Sequence, residues 1–166
     1  GTGLQEVTTQ IHRMGGGISH AIGTGGRDVY ADVGGVTMLQ GIALLAADAS
    51  TQVIAIVSKP PSPEVADKVI AALQASGKPA VVVFLGSDLA SPAKHIQITK
   101  TLVDCAAAAV KASGIKPTAS RVYALPRKPV FRKSQQYLRA LYSGGTYAAE
   151  AQMLWAQAGL QVWSNV

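Results

Sequence analysis

The sequence predicts an α/β protein with a parallel sheet that helices cover on both faces. Two patterns support this class: apolar runs of strand length alternate with stretches of helix length, and these runs are continuously apolar, as in strands buried on both sides. Such alternation requires right-handed crossovers between parallel strands. At 166 residues, 48% of them hydrophobic, the chain is long enough for one domain with a substantial core.

Five stretches have the pattern of helices. In the first, apolar residues recur every three or four positions from Leu4 to Met14, and the glycines at 15–17 end it. In the third, Ser62 is an N-cap, Pro63 opens the first turn and Gly77 takes the C′ position. The predicted helices span 4–14, 36–47, 63–76, 99–113 and 147–158.

Five shorter apolar runs have the composition of strands. They span 18–23, 51–58, 78–86, 136–142 and 160–164. An α/β series normally begins with a strand, whereas this one begins with a helix. We therefore expect that the first strand is missing before Gly1 and that its place in the sheet lies between 18–23 and 51–58. Upstream residues, or an equivalent strand such as 136–142, would fill that place, because unpaired backbone groups are costly.

The end of the chain repeats the pattern of its beginning. A strand, a glycine-rich turn, a helix and another strand follow one another between 136 and 166. We therefore predict three parts: a domain over 1–114, a basic linker with prolines over 115–135, and the start of a second domain of the same type over 136–166.

The net charge of +6 is concentrated between Asp104 and Glu150. That interval holds no acidic residue and 8 basic ones, which are Lys111, Lys116, Arg121, Arg127, Lys128, Arg132, Lys133 and Arg139. Nucleic acids bind such segments, but no stacking platform or nucleic-acid motif accompanies this one. We expect a solvated linker, or one near an acidic subunit or anionic ligand, with neither nucleic acid nor membrane as a partner.

Several features favour a cytoplasmic protein. The sequence has no signal-peptide pattern and no apolar run near the roughly 20 residues of a membrane helix. Its single cysteine, Cys105, excludes an internal disulfide and fits a helix core.

Glycine-rich turns precede several elements and could hold an anion. Backbone N–H groups converge at such a helix start, and the helix dipole adds about half a positive charge. A glycine turn can also serve only to close a tight connection, and neither a complete GxGxxG nor a P-loop lysine is present. The candidate phosphate- or substrate-binding residues are Gly1, Thr2, Gly3, Gly23, Thr24, Gly25, Gly26, Ser143, Gly144, Gly145 and Thr146.

Four segments in order carry a resemblance to a known family. GTGLQEVTTQIHRMGGGISHAIGTGGRD, VIAIVSKP, KPAVVVFLG and LYSGGTYAAEAQMLWAQAGLQVWSNV resemble the FdrA family, which is related to succinyl-CoA synthetase. The resemblance implies two flavodoxin-like domains, similar to the second domain of the synthetase α subunit and the last domain of its β subunit. Each would contribute one helix, beginning at GTGLQ and at SGGTYAAEA, whose N-terminus faces a shared phosphate. It also implies a CoA-binding-like domain that would lie before Gly1, and no ATP-grasp domain is visible.

The histidine chemistry of the synthetase has no clear counterpart. The synthetase carries its phosphoryl group on a histidine in a Gly-His-Ala-Gly-Ala motif, after the strand that matches VVVFLG. This chain has GSDLASPAKHIQIT there, so His95 is the only catalytic candidate, and a histidine in a surface loop is the simpler interpretation. We interpret His12 as an exposed helix residue and His20 as packed within the strand 18–23. No metal site is expected.

The resemblance implies a function in acyl or carbamoyl transfer. FdrA-like proteins are associated with oxamate carbamoyltransferase in allantoin (purine) catabolism, which needs an anion site but no phosphohistidine. The chain would be a fragment of such an enzyme subunit, inactive alone. The alternatives are an NDP-forming acyl-CoA synthetase (a ligase) and a non-catalytic scaffold subunit. We expect no cofactor in the chain itself. The expected ligand is phosphate, acyl phosphate or carbamoyl phosphate, and CoA or a nucleotide could bind through missing domains. We also expect an oligomer with other subunits of the complex.

Overall fold

The computed structural model describes residues 1–119 and 132–166. Helices and strands alternate along most of this described chain. They are α1 (Thr2–Arg13), α2 (Val36–Ala47), β1 (Ile54–Ser58), α3 (Pro63–Ser76), β2 (Ala80–Phe84), β3 (Ile96–Thr99), α4 (Leu102–Ala112) and α5 (Gly145–Gln157).

The three strands form one parallel sheet in the order β1-β2-β3. Ile54 of β1 lies opposite Ala80 of β2, which in turn lies opposite Ile96 of β3. All five residues of the central strand β2 are buried, as its continuous apolar sequence requires. The predicted class, α/β with a parallel sheet, is confirmed.

Helices cover the sheet on both faces and form two apolar clusters. Val82 of β2 packs in the cluster of α2 and α3, whereas its neighbours Val81 and Val83 pack in the cluster of α1 and α4. Successive side chains of a strand point to opposite faces, so one strand serves both clusters. Burial of these clusters is the main favourable term in the stability of the fold.

The helix boundaries follow the local signals in the sequence. The side chain of Ser62 accepts a hydrogen bond from the N–H of Val65, and Gly77 adopts the left-handed conformation with φ of 66°. The predicted and observed limits of α2 coincide at Val36–Ala47. In contrast, α4 begins only at Leu102, because the residues before it belong to the short strand β3, which was not predicted.

Three predicted strands are wrong. Residues 18–23, 136–142 and 160–164 are not strands, because a strand requires a neighbouring chain for its ladder and none of the described strands lies beside them. A cavity separates 18–23 from β1, at the place where we expected a gap in the sheet. The segment 136–142 is exposed, and Leu141 is 100% accessible to solvent.

The tail contributes a helix to the first part of the chain. Tyr147 and Ala149 of α5 pack against the cluster formed by α1 and α4. The division into two domains and a linker stays a prediction, because residues 120–131 of the predicted linker, with Arg121, Arg127 and Lys128, lie outside the described residues. Across the parts of the chain that are described, no helix combines the length and apolar character needed to cross a membrane.

Candidate functional site

The starts of α1 and α5 lie against each other, 142 positions apart in the sequence at Thr2 and Gly144. A Cβ added to Gly3 would lie 2.9 Å from Cγ2 of Thr146 and 3.0 Å from Cγ1 of Val57. A Cβ added to Gly144 would overlap the side chain of Thr2. The two helix starts therefore approach this closely only because glycine occupies both positions. We call this contact the α1/α5 junction.

The other helix starts are closed by side chains. The carboxylate of Asp28 accepts hydrogen bonds from the N–H groups of Thr37 and Met38 at 2.9 and 2.8 Å, at the start of α2. Ser62 caps α3 and Thr101 caps α4 in the same way. These side chains satisfy donors that a helix cannot satisfy internally.

The α1/α5 junction lacks such caps. The N-cap residues of α1 and α5 are Gly1 and Gly144, and no side chain within the described ranges caps either helix. Neither first turn carries an acidic residue. The first N–H groups and the positive ends of two helix dipoles therefore meet at one place, an arrangement that attracts an anion.

Lys59 adds a full positive charge to the junction. It follows β1 directly, and its Nζ lies 3.4 Å from the position that a Cβ on Gly145 would take. We did not predict this residue. Its position after a buried strand, at the carboxyl edge where α/β proteins bind ligands, was the signal that could have revealed it.

A cavity of about 650 Å³ opens beside the junction. Most of the candidate residues predicted from the sequence line it: Gly1, Gly3, Gly23, Thr24, Gly25, Gly26 and Thr146. Thr2, Gly144 and Gly145 lie at the junction next to it, whereas Ser143 is exposed outside it. The structure therefore gathers ten of the eleven candidates in one region; their role in binding stays a prediction.

Two carboxylates hold α5 in place. The hydroxyl of Tyr147 donates a hydrogen bond to Glu6 of α1 at 2.7 Å, and Glu150 accepts one from the N–H of Leu102 at the start of α4, also at 2.7 Å. The bonds from Tyr147 and Gln10 lower the pKa of Glu6. Burial raises the pKa of Glu150, against the opposing effect of the Leu102 N–H.

The structure does not bring His95 to the junction. The carbonyl of His95 accepts a hydrogen bond from the N–H of Ala80, the first residue of β2, at 2.8 Å. His95 thus lies at the amino edge of the parallel sheet, whereas Gly3 lies beside Val57 near the carboxyl end of β1. Its Nε2 atom is buried without a hydrogen-bond partner among the described residues.

The remaining reactive side chains lie away from the α1/α5 junction, although His20 lines the cavity beside it. His12 is exposed near the end of α1, as predicted. His20 is exposed with its Nδ1 3.4 Å from Asp48, so its placement inside a packed strand was wrong. Burial raises the pKa of the Cys105 thiol to about 12, which makes it unreactive. No group of three or more metal-ligating side chains occurs within 1–119 and 132–166.

Comparison with known proteins agrees with this fold. The chain is 36% identical over 173 residues to the uncharacterized protein YahF of Escherichia coli (strain K12), in an alignment that covers 100% of this chain and 34% of that protein. The chain therefore spans about a third of the length of this relative.

A family model described as the CoA binding domain matches residues 1–86. This match corrects our expectation that the CoA-binding-like region lies only before Gly1, since it covers α1 to β2. The residues matched include Gly1, Gly3, the segment 23–26 and Lys59, all of which line the cavity. With more than half of its residues inside this match, the chain belongs to the CoA-binding domain family, of the acyl-CoA synthetase-like type.

Proposed function

We propose that the α1/α5 junction binds phosphate or an acyl phosphate, and that the chain is part of an acyl-CoA synthetase-like enzyme subunit. One observation carries this proposal: the first residues of the two helices that lack side-chain caps in the described structure lie in contact with each other, beside Lys59. Two dipoles and one ammonium group suit the charge of a phosphoryl group.

The chemistry that such a site supports is charge stabilisation on phosphoryl oxygens. Backbone N–H groups that are fixed before the ligand arrives need no reorganisation when an acyl phosphate forms or breaks. No histidine of the described residues lies at the junction to carry a phosphoryl group. Direct transfer between phosphate and a carbonyl carbon therefore fits the site better than a phosphohistidine route.

The finer proposal is carbamoyl transfer of the FdrA type. In oxamate carbamoyltransferase, the bond between the carbamoyl carbon and the oxamate nitrogen of oxalurate breaks. A phosphate oxygen bonds to that carbon, and the nitrogen takes up a proton, which gives oxamate and carbamoyl phosphate. The location of His95 at the opposite edge of the sheet supports this reading over the ligase alternative. The other subunits and the substrate-specific groups would come from the rest of the enzyme.

CoA is the ligand that the family description implies. Its phosphate groups fit the same chemistry: the first N–H groups of α1, Lys59, and the glycines at 23–26, of which Gly25 has φ of 84° and lets the backbone approach closely. Bound there, CoA would supply a thiol as the acyl acceptor.

Calorimetric titration of the protein with inorganic phosphate, and separately with CoA, tests the proposal. We expect phosphate to bind, and Lys59→Ala to weaken it about tenfold through loss of one charge. Lys94→Ala removes the same charge near the amino edge and should leave affinity unchanged. No binding of either ligand to the intact enzyme would leave the scaffold function as the better account.

A second experiment addresses the histidine. With the native partner subunits, oxamate and carbamoyl phosphate, His95→Ala should retain carbamoyl transfer, because His95 does not reach the junction. Acid-labile radiolabel on His95, lost together with activity in His95→Ala, would support the NDP-forming ligase instead.

A further inference from the structure

Lys59 combines an unpaired amine with a place at the α1/α5 junction. Its Nζ and Cε lie 3.4 and 3.6 Å from the position of a Cβ on Gly145, so the side chain lies along the first turn of α5. Two residues earlier, Val57 lies against Gly3 at the start of α1. The end of β1 and the residue after it therefore place the Lys59 amine beside the point where the two helix starts meet.

No partner within the described residues occupies this amine. Among them, no carboxylate oxygen lies within 4 Å of the Lys59 Nζ. In contrast, the Nζ of Lys78 donates to two carbonyls at the end of α2, at 2.9 and 2.6 Å, and the Nζ of Lys100 lies 3.3 Å from the carboxylate of Asp88. Of the lysines in the described chain, only Lys59 lines the cavity. Its amine is thus accessible to a ligand at the junction.

We propose that Lys59 is a self-acylation site, modified by an acyl phosphate that is bound at the junction. This inference rests on the proposed function, because the junction must first hold the phosphoryl group. With the phosphoryl oxygens at the first N–H groups of the helices, the acyl carbon lies one bridging oxygen away from the phosphorus, within reach of the flexible four-carbon lysine stem. Two reactants held in one place react faster than two that meet only by collision.

The step is an aminolysis, and it needs no reactant besides the acyl phosphate. The ammonium group of Lys59 first releases a proton to water. The nitrogen lone pair then forms a bond to the acyl carbon, and the bond from that carbon to the bridging oxygen breaks, with its electron pair leaving on the phosphate. The nitrogen gives its second proton to that phosphate. The products are a neutral amide on Lys59 and inorganic phosphate.

The modification removes one positive charge from the junction. The amide nitrogen keeps a single N–H donor, and the acyl group takes up room beside Gly145. We expect phosphate to bind about tenfold more weakly afterwards, as with Lys59→Ala. Self-acylation therefore lowers the affinity of the junction when an acyl phosphate accumulates, which is a slow form of feedback on the same site.

Mass spectrometry of the intact protein after incubation with acetyl phosphate tests the inference. Lys94 is the matched control, because it is also exposed but lies near the amino edge of the sheet. The N-hydroxysuccinimide ester of acetic acid, which has no phosphate, measures the ordinary reactivity of both amines. We expect the ratio of Lys59 to Lys94 acetylation to be at least about tenfold higher with acetyl phosphate than with the ester. Inorganic phosphate should slow acetylation by acetyl phosphate at Lys59 and not at Lys94.

Two results would overturn the inference: equal ratios with the two reagents, or a Lys59 rate that inorganic phosphate does not lower. Calorimetric titration of the same protein with phosphate distinguishes this failure from failure of the proposed function. If phosphate binds while the two ratios are equal, the proposed function stands and self-acylation is wrong. If phosphate does not bind, both are wrong.

Lys59→Arg provides a second measurement, because a guanidinium group keeps the positive charge and stays protonated, so it does not attack acetyl phosphate. Treatment with acetyl phosphate should lower the phosphate affinity of the parent protein about tenfold. It should leave the affinity of the variant at the value measured before treatment. An equal loss in both proteins, or no loss in the parent, would contradict the assignment to Lys59.

Discussion

Two kinds of helix start occur in this one small fold. At α2, α3 and α4, the side chains of Asp28, Ser62 and Thr101 accept hydrogen bonds from the first turn. At α1 and α5, glycine occupies the cap position and the first N–H groups have no side-chain partner among the described residues. The first kind contributes stability, whereas the second keeps donors available for a ligand, at a cost of only a few tenths of a kcal/mol when glycine replaces a capping residue.

The comparison predicts its largest effect at the uncapped starts. Gly144→Val places side-chain atoms where Thr2 lies, so we expect it to separate α1 from α5 and to abolish phosphate binding. Gly3→Val should act in the same way, through Thr146 and Val57. Calorimetric titration with phosphate measures the loss, and circular dichroism checks the fold. Ala112→Val, at an exposed position outside the cavity, is the control. Phosphate binding retained by Gly144→Val would contradict the role of the junction.

At a capped start, a substitution should lower stability and leave phosphate binding unchanged. Asp28 is 4% exposed and accepts two backbone bonds, so Asp28→Ala should lower the free energy of unfolding by about 2 kcal/mol. Phosphate affinity should not change, because the start of α2 is not part of the junction. Urea unfolding measures the first quantity and calorimetry the second. If Asp28→Ala lost phosphate affinity without losing stability, the distinction between capped and uncapped helix starts would not hold.

The contact between α5 and α1 predicts a smaller, pH-dependent effect. The Tyr147 hydroxyl lowers the pKa of Glu6 below its unfolded value, so this bond stabilises the fold above the unfolded pKa and is lost as the pH falls through the folded one. Tyr147→Phe should lower the free energy of unfolding at pH 7 by about 0.5 kcal/mol, since Glu6 is only partly buried and solvent weakens the bond. In urea unfolding the difference from the parent should shrink as the pH falls through the lowered pKa of Glu6; a difference that does not change with pH would assign it to packing.

Substitution of Glu150 should give the smallest change in the free energy of unfolding, with a sign opposite to that of Tyr147→Phe. Burial raises its pKa in the folded chain, so its ionised form costs stability at neutral pH, and that cost disappears as the pH falls through the folded pKa. Glu150→Gln keeps an acceptor for the Leu102 N–H without the charge. We expect equal or slightly higher stability at pH 7 and no difference at pH 3. A clear loss of stability at pH 7 would show that the charge at the start of α4 outweighs desolvation.

Local signals in the sequence predicted local structure well. The limits of α2 and α3 follow from nearby residues such as Ser62 and Gly77, which act within a few positions. Pairing of strands is not local. The prediction of a strand at 18–23 was wrong because the composition of a segment does not determine whether another strand lies beside it to form a ladder. The four residues of β3, with exposed Gln97 among them, were too short and too polar to recognise.

The candidate site was predictable only in part, for the same reason. Glycine-rich turns identify the two helix starts. The resemblance to the FdrA family, in which two helices would face one phosphate, suggested that these starts meet. The presence of Lys59 at the junction is set by tertiary contacts, which the sequence alone does not reveal. The same contacts decide which helix starts have a side-chain cap and which do not. His95 looked plausible by its distance along the chain, but the parallel strands place it at the other edge of the sheet.

The bond between Tyr147 and Glu6 also bears on the order of folding. It joins residues 141 positions apart, against 48 for Glu150 and Leu102, so closing it costs about 1 kcal/mol more in chain entropy. Its surface exists only after α1 and α4 have packed into one cluster. The helix α5 should therefore attach last and detach first, which makes assembly of the junction the final kinetic step. An anion held there would slow that detachment, because it binds only the closed form.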